Sequence, residues 1–152
     1  MKVAHGISKP TLVKVQQELE TVRLRHDGLL RPEDIVEFAR DKRTTLHAQF
    51  EWNNGKAAEQ FRLEQARHII RVVVTVIDMP EAHEPITVRA YQSLTTDRGS
   101  QGYRATVDVL SVKELRDQML KDAIDELVRI RTKYATLKEL TKVHEAIDEL
   151  TR

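Results

Sequence analysis

The sequence predicts an α+β fold in three parts: an N-terminal helical portion with a helix-turn-helix-like turn, a three-stranded antiparallel meander, and a long C-terminal helix. Three observations predict it. Apolar residues recur at three- and four-residue spacing before residue 72 and after residue 110, the period of helices buried along one face. Between them, Val72-Val73-Val74-Thr75-Val76-Ile77 is a β-branched run whose stiff side chains suit a sheet, and two later runs alternate. Charged residues make up 32% of the chain against 40% hydrophobic, a balance that favours charged helices around a core over a disordered chain.

At 152 residues one domain is expected, divided into an N-terminal helix over 8-28, a helical core segment over 31-71, a β-meander over 72-110 and a C-terminal helix or helical hairpin over 111-152. In the first helix, Ser8 and Thr11 offer caps, Pro10 suits the first turn, and Leu12, Val15, Leu19 and Val22 form the seam. Gly28 ends it by taking the left-handed conformation. Pro32, with Glu33 and Asp34 behind it, starts the next helix, whose Ile35, Phe38 and Ala39 face inward. Asp41-Lys42-Arg43-Thr44 interrupts the pattern. Thr44 or Thr45 caps a second short helix that buries Leu46, Phe50 and Trp52. Asn53 or Asn54 caps a longer helix with Ala57, Ala58, Phe61, Gln65, Ala66, Ile69 and Ile70 broadly on one side.

The run ending at Ile77 is continuously apolar, which predicts burial on both faces. After a Pro-bounded loop from Asp78 to Pro85, Ile86, Val88, Ala90 and Leu94 alternate with polar residues. A connector from Thr95 to Gly102 follows, and Tyr103, Ala105, Val107 and Val109 alternate again. Ser111 and Glu114 then spell a capping box, with Leu110 and Leu115 at the staple positions. From there a seam runs from Leu115 to Leu150. A straight helix of that length would reach roughly 60 Å, so it either bends back near Tyr134-Ala135-Thr136, with Thr136 and Glu139 capping a second segment, or rests its end on a partner.

Composition excludes more than it assigns. The chain has no Cys, so disulfides, thiolate nucleophiles and Cys-ligated zinc are absent, and a reducing compartment fits. Met1 to Gly6 lacks an apolar signal core, and no apolar run approaches the roughly 20 residues of a membrane helix, so a soluble cytoplasmic protein with no membrane partner is expected. The six His do not sit at metal-ligand spacing, and no phosphate-binding glycine loop or G-x-S-x-G elbow occurs. No catalytic residue, metal or cofactor is assigned, and no enzyme is expected.

Leu30 to Arg40, Leu46 to Trp52 and Ala57, Ala58, Arg62, Gln65, Ala66, Arg67, Ile70, Arg71 follow the patterns L-x-P-E-x-(I/V)-V-E-x-A-R, L-H-x-x-F-E-W and A-A-x-x-x-R-x-x-Q-A-R-x-x-I-R. In these the chain resembles an uncharacterised family of tailed-phage and prophage proteins. The resemblance implies a mobile-element origin and brings no activity with it. Ile35, Ala39, Thr45, Leu46 and Phe50 also partly resemble the DNA-reading segment of TetR-type repressors, although Arg40 and Asp41 stand where that family has its turn glycine and the following apolar residue.

Two functional expectations follow. Two short helices joined by a polar turn invite duplex DNA, with Arg40, Lys42 and Arg43 on phosphates and Thr44, Thr45, His47 and Gln49 towards base edges. Twenty-five basic residues against twenty-four acidic ones mean that any such binding rests on a local patch. Arg62, Arg67 and Arg71 extend that patch or pair with Glu59 and Glu64, and the strands around Arg89, Arg98 and Arg104 are a weaker basic surface. The alternative is a structural or adaptor module, a packaging or virion-assembly component, in which Leu127, Tyr134, Leu137, Leu140 and Ile147 of the C-terminal seam join copies or hold a phage or host protein.

Overall fold

The computed structural model describes residues 8–53, 55–78, 84–100 and 102–152, with the side chains of Lys56 and Ala57 left aside. The expectations for Met1 to Gly6, Asn54, the Ala57 side chain, the loop from Met79 to His83 and Gln101 therefore fall outside the described residues. The protein is mixed α+β and mostly helical.

Helix α1 (Lys9–Arg25) carries Pro10 in its first turn and buries Val15, Leu19 and Val22, every fourth or third residue. It ends where Asp27 and Gly28 both take positive φ, 52° and 80°; glycine carries the larger excursion without a Cβ clash. Leu30 then exchanges two backbone hydrogen bonds with Tyr103, at 2.9 and 3.0 Å, and this ties the loop to the second half of the chain. Helix α2 (Pro32–Ala39) begins at its proline with Glu33 and Asp34 in the first turn, and buries Ile35, Val36 and Ala39 while Phe38 is half-buried. Helix α3 (Lys56–Val72) starts from Gly55, so Asn53 does not cap it, and it packs Ala66, Ile69 and Ile70 into the core.

The strands differ from the expected meander. Strands β1 (Val74–Ile77) and β2 (Ile86–Arg89) form one antiparallel pair in the register Val74↔Arg89 to Ile77↔Ile86, and β3 (Tyr91–Gln92) and β4 (Arg104–Ala105) form another. The chain changes partners at Ala90, whose N–H donates to Val73 and whose carbonyl accepts from Thr106 at 2.8 Å. Thr106 also donates its hydroxyl to the Arg89 carbonyl at 2.6 Å, which covers the end of β2 where a third strand would have continued. Nor is β1 buried on both faces: Val74 is 52% and Val76 63% exposed.

Helix α4 (Thr106–Ser111) takes over from the expected third strand, burying Thr106 and Val109. Helix α5 (Lys113–Lys133) follows after a break at Val112. The capping box does not form, because Ser111 is already the last residue of α4 and donates its hydroxyl to the Asp108 carbonyl at 2.9 Å. Tyr134 ends α5, a short 3-10 turn at Lys138–Leu140 reverses the chain, and helix α6 (Thr141–Leu150) runs back along it. The C-terminal region is thus a helical hairpin; Leu137, not Thr136, precedes the turn, and no side chain caps it. Among the described residues no helix is long and apolar enough to cross a membrane.

The main core unites Val15, Leu19 and Val22 of α1, Leu30, α2, Leu46, Phe50, the inner face of α3 and the Ala90, Tyr91 and Ala105 backbone corner. Polar contacts lock its rim. Glu20 accepts the Tyr91 hydroxyl at 2.6 Å and binds Arg23, which reaches Asp108 at 2.7 Å, joining α1 to β3 and α4. Burial, helped by the Glu20 hydrogen bond, pushes the Tyr91 phenol well above its ordinary pKa.

Candidate functional site

The polar turn between α2 and α3 forms a helix-helix corner. Its second helix is one 3-10 turn, Leu46–Gln49, too short to lay a row of side chains along DNA bases. Leu46 is fully buried, and Gln49 is half-buried. Glu18 of α1 reaches across to accept the backbone N–H groups of Thr45 and Leu46 at 2.7 and 2.8 Å, which fixes the turn from outside. Thr44 accepts the His47 N–H at 3.1 Å, so the expected threonine cap is Thr44.

His47 is likewise committed inward. Its Nδ1 donates to the Ala39 carbonyl at 2.8 Å, and its ring stacks on Trp52 at 4.8 Å with an 8° interplanar angle. Trp52 in turn donates its indole N–H to the His47 carbonyl at 2.8 Å. The guanidiniums of Arg40 and Arg62 sit 5.9 and 5.4 Å from the Trp52 ring, and Glu59 lies between them, 3.5 Å from Arg40 and 2.8 Å from Arg62. Arg62 is only 5% exposed, and Arg67 pairs with Glu64 at 2.6 Å, so these arginines stabilise their own helix and do not extend a basic stripe. Arg104 similarly closes on buried Asp97 through two 2.7 Å bonds.

Of the expected phosphate contacts, Arg40 also binds Glu37 at 2.9 Å, and Arg43 folds onto Asp41 at 2.7 Å. The hydrogen bonds from Arg43 hold the Asp41 carboxyl down to about 2. Lys42 and Arg43 remain exposed at the corner's tip.

The C-terminal hairpin presents the opposite situation. Helix α5 spans 21 residues, about 31 Å, and none of them is buried. Along it Leu120, Ala123, Leu127 and Ile130 alternate at spacings of three and four, a heptad seam that reaches Tyr134 at the helix end. Leu120 is 53% and Ile130 43% exposed, and Ala123, Tyr134 and Leu137 are exposed as well. Helix α6 covers a different side: Arg131 forks onto Asp148 with contacts of 2.7 and 2.8 Å, and Ile147 is only 4% exposed. Ile147 is therefore committed within the chain and does not belong to an outer seam, and Leu127 and Leu140 are half-buried. The sequence-level seam mixed these two sides because both repeat at helical spacing.

Ala123 and Ile130 of the seam, with Glu126 and Lys133 next to it, also form one wall of an open cleft of about 480 Å³ between α5 and the 3-10 turn Thr95–Ser100. Asp122 closes its inner end by accepting the Thr95 N–H at 2.7 Å and the Gln118 amide at 2.8 Å. Burial pushes the Asp122 carboxyl up, but these bonds and nearby Arg98 outweigh it, leaving it below the ordinary range. No group of three or more His, Cys, Asp or Glu among the described residues is placed to hold a metal ion. No protein-family model, curated protein or solved structure matches the chain.

Proposed function

We propose that the protein is a non-enzymatic assembly module whose α5 seam pairs with the same seam of a second copy, as a structural accessory component of a phage or prophage. The observation that carries this reading is the heptad-spaced apolar row on a helix with no fully buried residue, in which Leu120, Ile130 and Tyr134 stay exposed. The mobile-element part rests on the resemblance of Leu30 to Arg71.

A second copy fits because the seam complements itself when run antiparallel about a two-fold axis. One register sets Leu127 against the partner's Ile130 and small Ala123 against the partner's large Tyr134, at the end of the helix. The same register places Glu126, which borders the seam, within reach of the partner's Lys133, twice by symmetry. Exposed ion pairs contribute little each, so apolar burial supplies the affinity and the charges choose the register.

Sedimentation of the full chain over a dilution series tests this. Ile130→Glu should shift the mass distribution downward, raising the dissociation constant of the α5 join by at least about tenfold, because each such join would bury two unpaired carboxylates. An unchanged mass distribution would reject the seam.

Duplex DNA remains a second reading on one observation, the joint exposure of Lys42 and Arg43 at the corner. It would involve about two phosphates, and the logarithm of affinity would fall with log salt at a slope of about −2. A fluorescence-anisotropy titration measures it, and absence of binding at low salt rejects it.

A further inference from the structure

We propose that the free edge of β1 is a second self-association surface, on which β1 of another copy adds antiparallel to make a continuous four-stranded sheet, independently of the α5 seam. Among the described residues β1 pairs only with β2, so its other edge faces outward. That edge carries none of the devices that blunt exposed strands: Val74-Thr75-Val76-Ile77 has no Lys, no Pro and no charge, and it runs in regular register without a bulge.

The ladder fixes which groups are on offer. Ala90 donates to the Val73 carbonyl, so in the alternation of an antiparallel pair Val73, Thr75 and Ile77 bond towards β2. The N–H and C=O groups of Val74 and Val76 then point to the free edge. A two-fold join centred on Thr75 sets Val74 opposite the partner's Val76, and the reverse, with all four outward groups bonded across the join. Directly opposed residues share a face, so the same register gathers four exposed valines into one cluster.

Charge selects a second copy over other extended segments. Arg71, in the last turn of α3, and Asp78, immediately after β1, are both exposed and have no ion-pair partner among the described residues. An antiparallel join centred on Thr75 lays the end of β1, where Asp78 follows, beside the start of β1 in the other copy, where α3 ends with Arg71 in its last turn. Two complementary pairs therefore flank the apolar centre, one at each end.

Cysteine cross-linking tests the join, and the Cys-free chain makes the test unambiguous. In Thr75→Cys the two thiols face each other as a non-hydrogen-bonded pair, a spacing at which a disulfide closes. Most of the protein should become covalent dimer on mild oxidation, and should still do so in an Ile130→Glu background. Thr87→Cys should not, since the two copies of β2 lie three strand spacings apart, about 14 Å. Val76→Pro removes an N–H that β2 does not use; it should keep the thermal unfolding midpoint of the Thr75→Cys protein while abolishing its cross-link. Thr75→Cys that stays monomeric, or Thr87→Cys that cross-links equally, would overturn the proposal. So would a cross-link that survives Val76→Pro.

Discussion

Glu18 sits on the third turn of α1, yet its two carboxylate oxygens hold the backbone of a turn 27 and 28 positions away. Charged acceptors of paired backbone donors are among the stronger hydrogen bonds, and removing one leaves the donors to find water in a half-buried site. Glu18→Ala should therefore lower the unfolding free energy by about 2 kcal/mol, read from the denaturant midpoint. Asp41 makes a different prediction. Its folded pKa is lowered to about 2, so the Arg43 contact is fully present above the ordinary carboxylate range and is lost as pH falls through about 2. Carboxyl chemical shifts followed by NMR should show Asp41 titrating near pH 2. Tyr91 works in the other direction: its raised pKa means that its bond to Glu20 persists at neutral pH and fails only in strong alkali. What was legible in the residues was local. Pro32 opening a helix, Gly28 closing one and the burial of Leu46 and Phe50 follow from near neighbours. The Glu18 cap and the stacking of His47 on Trp52 depend on tertiary placement, and their residue types gave no distinguishing signal.

The elements show where periodicity informs and where it misleads. Helices α1, α2 and α3 begin and end close to where capping and spacing put them. The run from Ile86 to Leu94 reads as one strand because alternation continues through Ala90, but Ala90 divides its backbone bonds between Val73 and Thr106 and the strand changes sheets there. Ala105 and Val109 fit both an alternating strand and one helical turn, and the Thr106 hydroxyl on Arg89 settles the chain as helix. Ser111 shows that a capping box needs non-helical backbone before it, which α4 denies. For the assembly seam the element-scale prediction is a charge swap. Glu126→Lys or Lys133→Glu alone should weaken dimerisation by roughly twofold to tenfold by opposing like charges, and the double variant should recover it. Sedimentation equilibrium of the four proteins checks this; failure of the double variant to recover would reject the antiparallel register.

Across the whole molecule, the main core runs from Val15 to Ala105, while the C-terminal hairpin contributes nothing to it. Stability and assembly should therefore separate. Leu19→Ala, at a fully buried position, should cost about 3 kcal/mol of unfolding free energy, whereas Ile130→Glu should change it by less than about 0.5 kcal/mol once the chain is monomeric. Thermal and urea unfolding of both variants at low concentration provides the comparison. Two distinct two-fold surfaces on one chain, at α5 and at β1, would build closed rings or extended arrays instead of stopping at a pair. That pattern suits a structural component better than a reader of DNA sequence. Completion of the α5 seam by another copy is read in the light-scattering mass of the unmodified full chain across a dilution series. A mass of at least twice 17.6 kDa that falls on dilution, and falls further in Ile130→Glu, is expected. A constant 17.6 kDa at every concentration would contradict it.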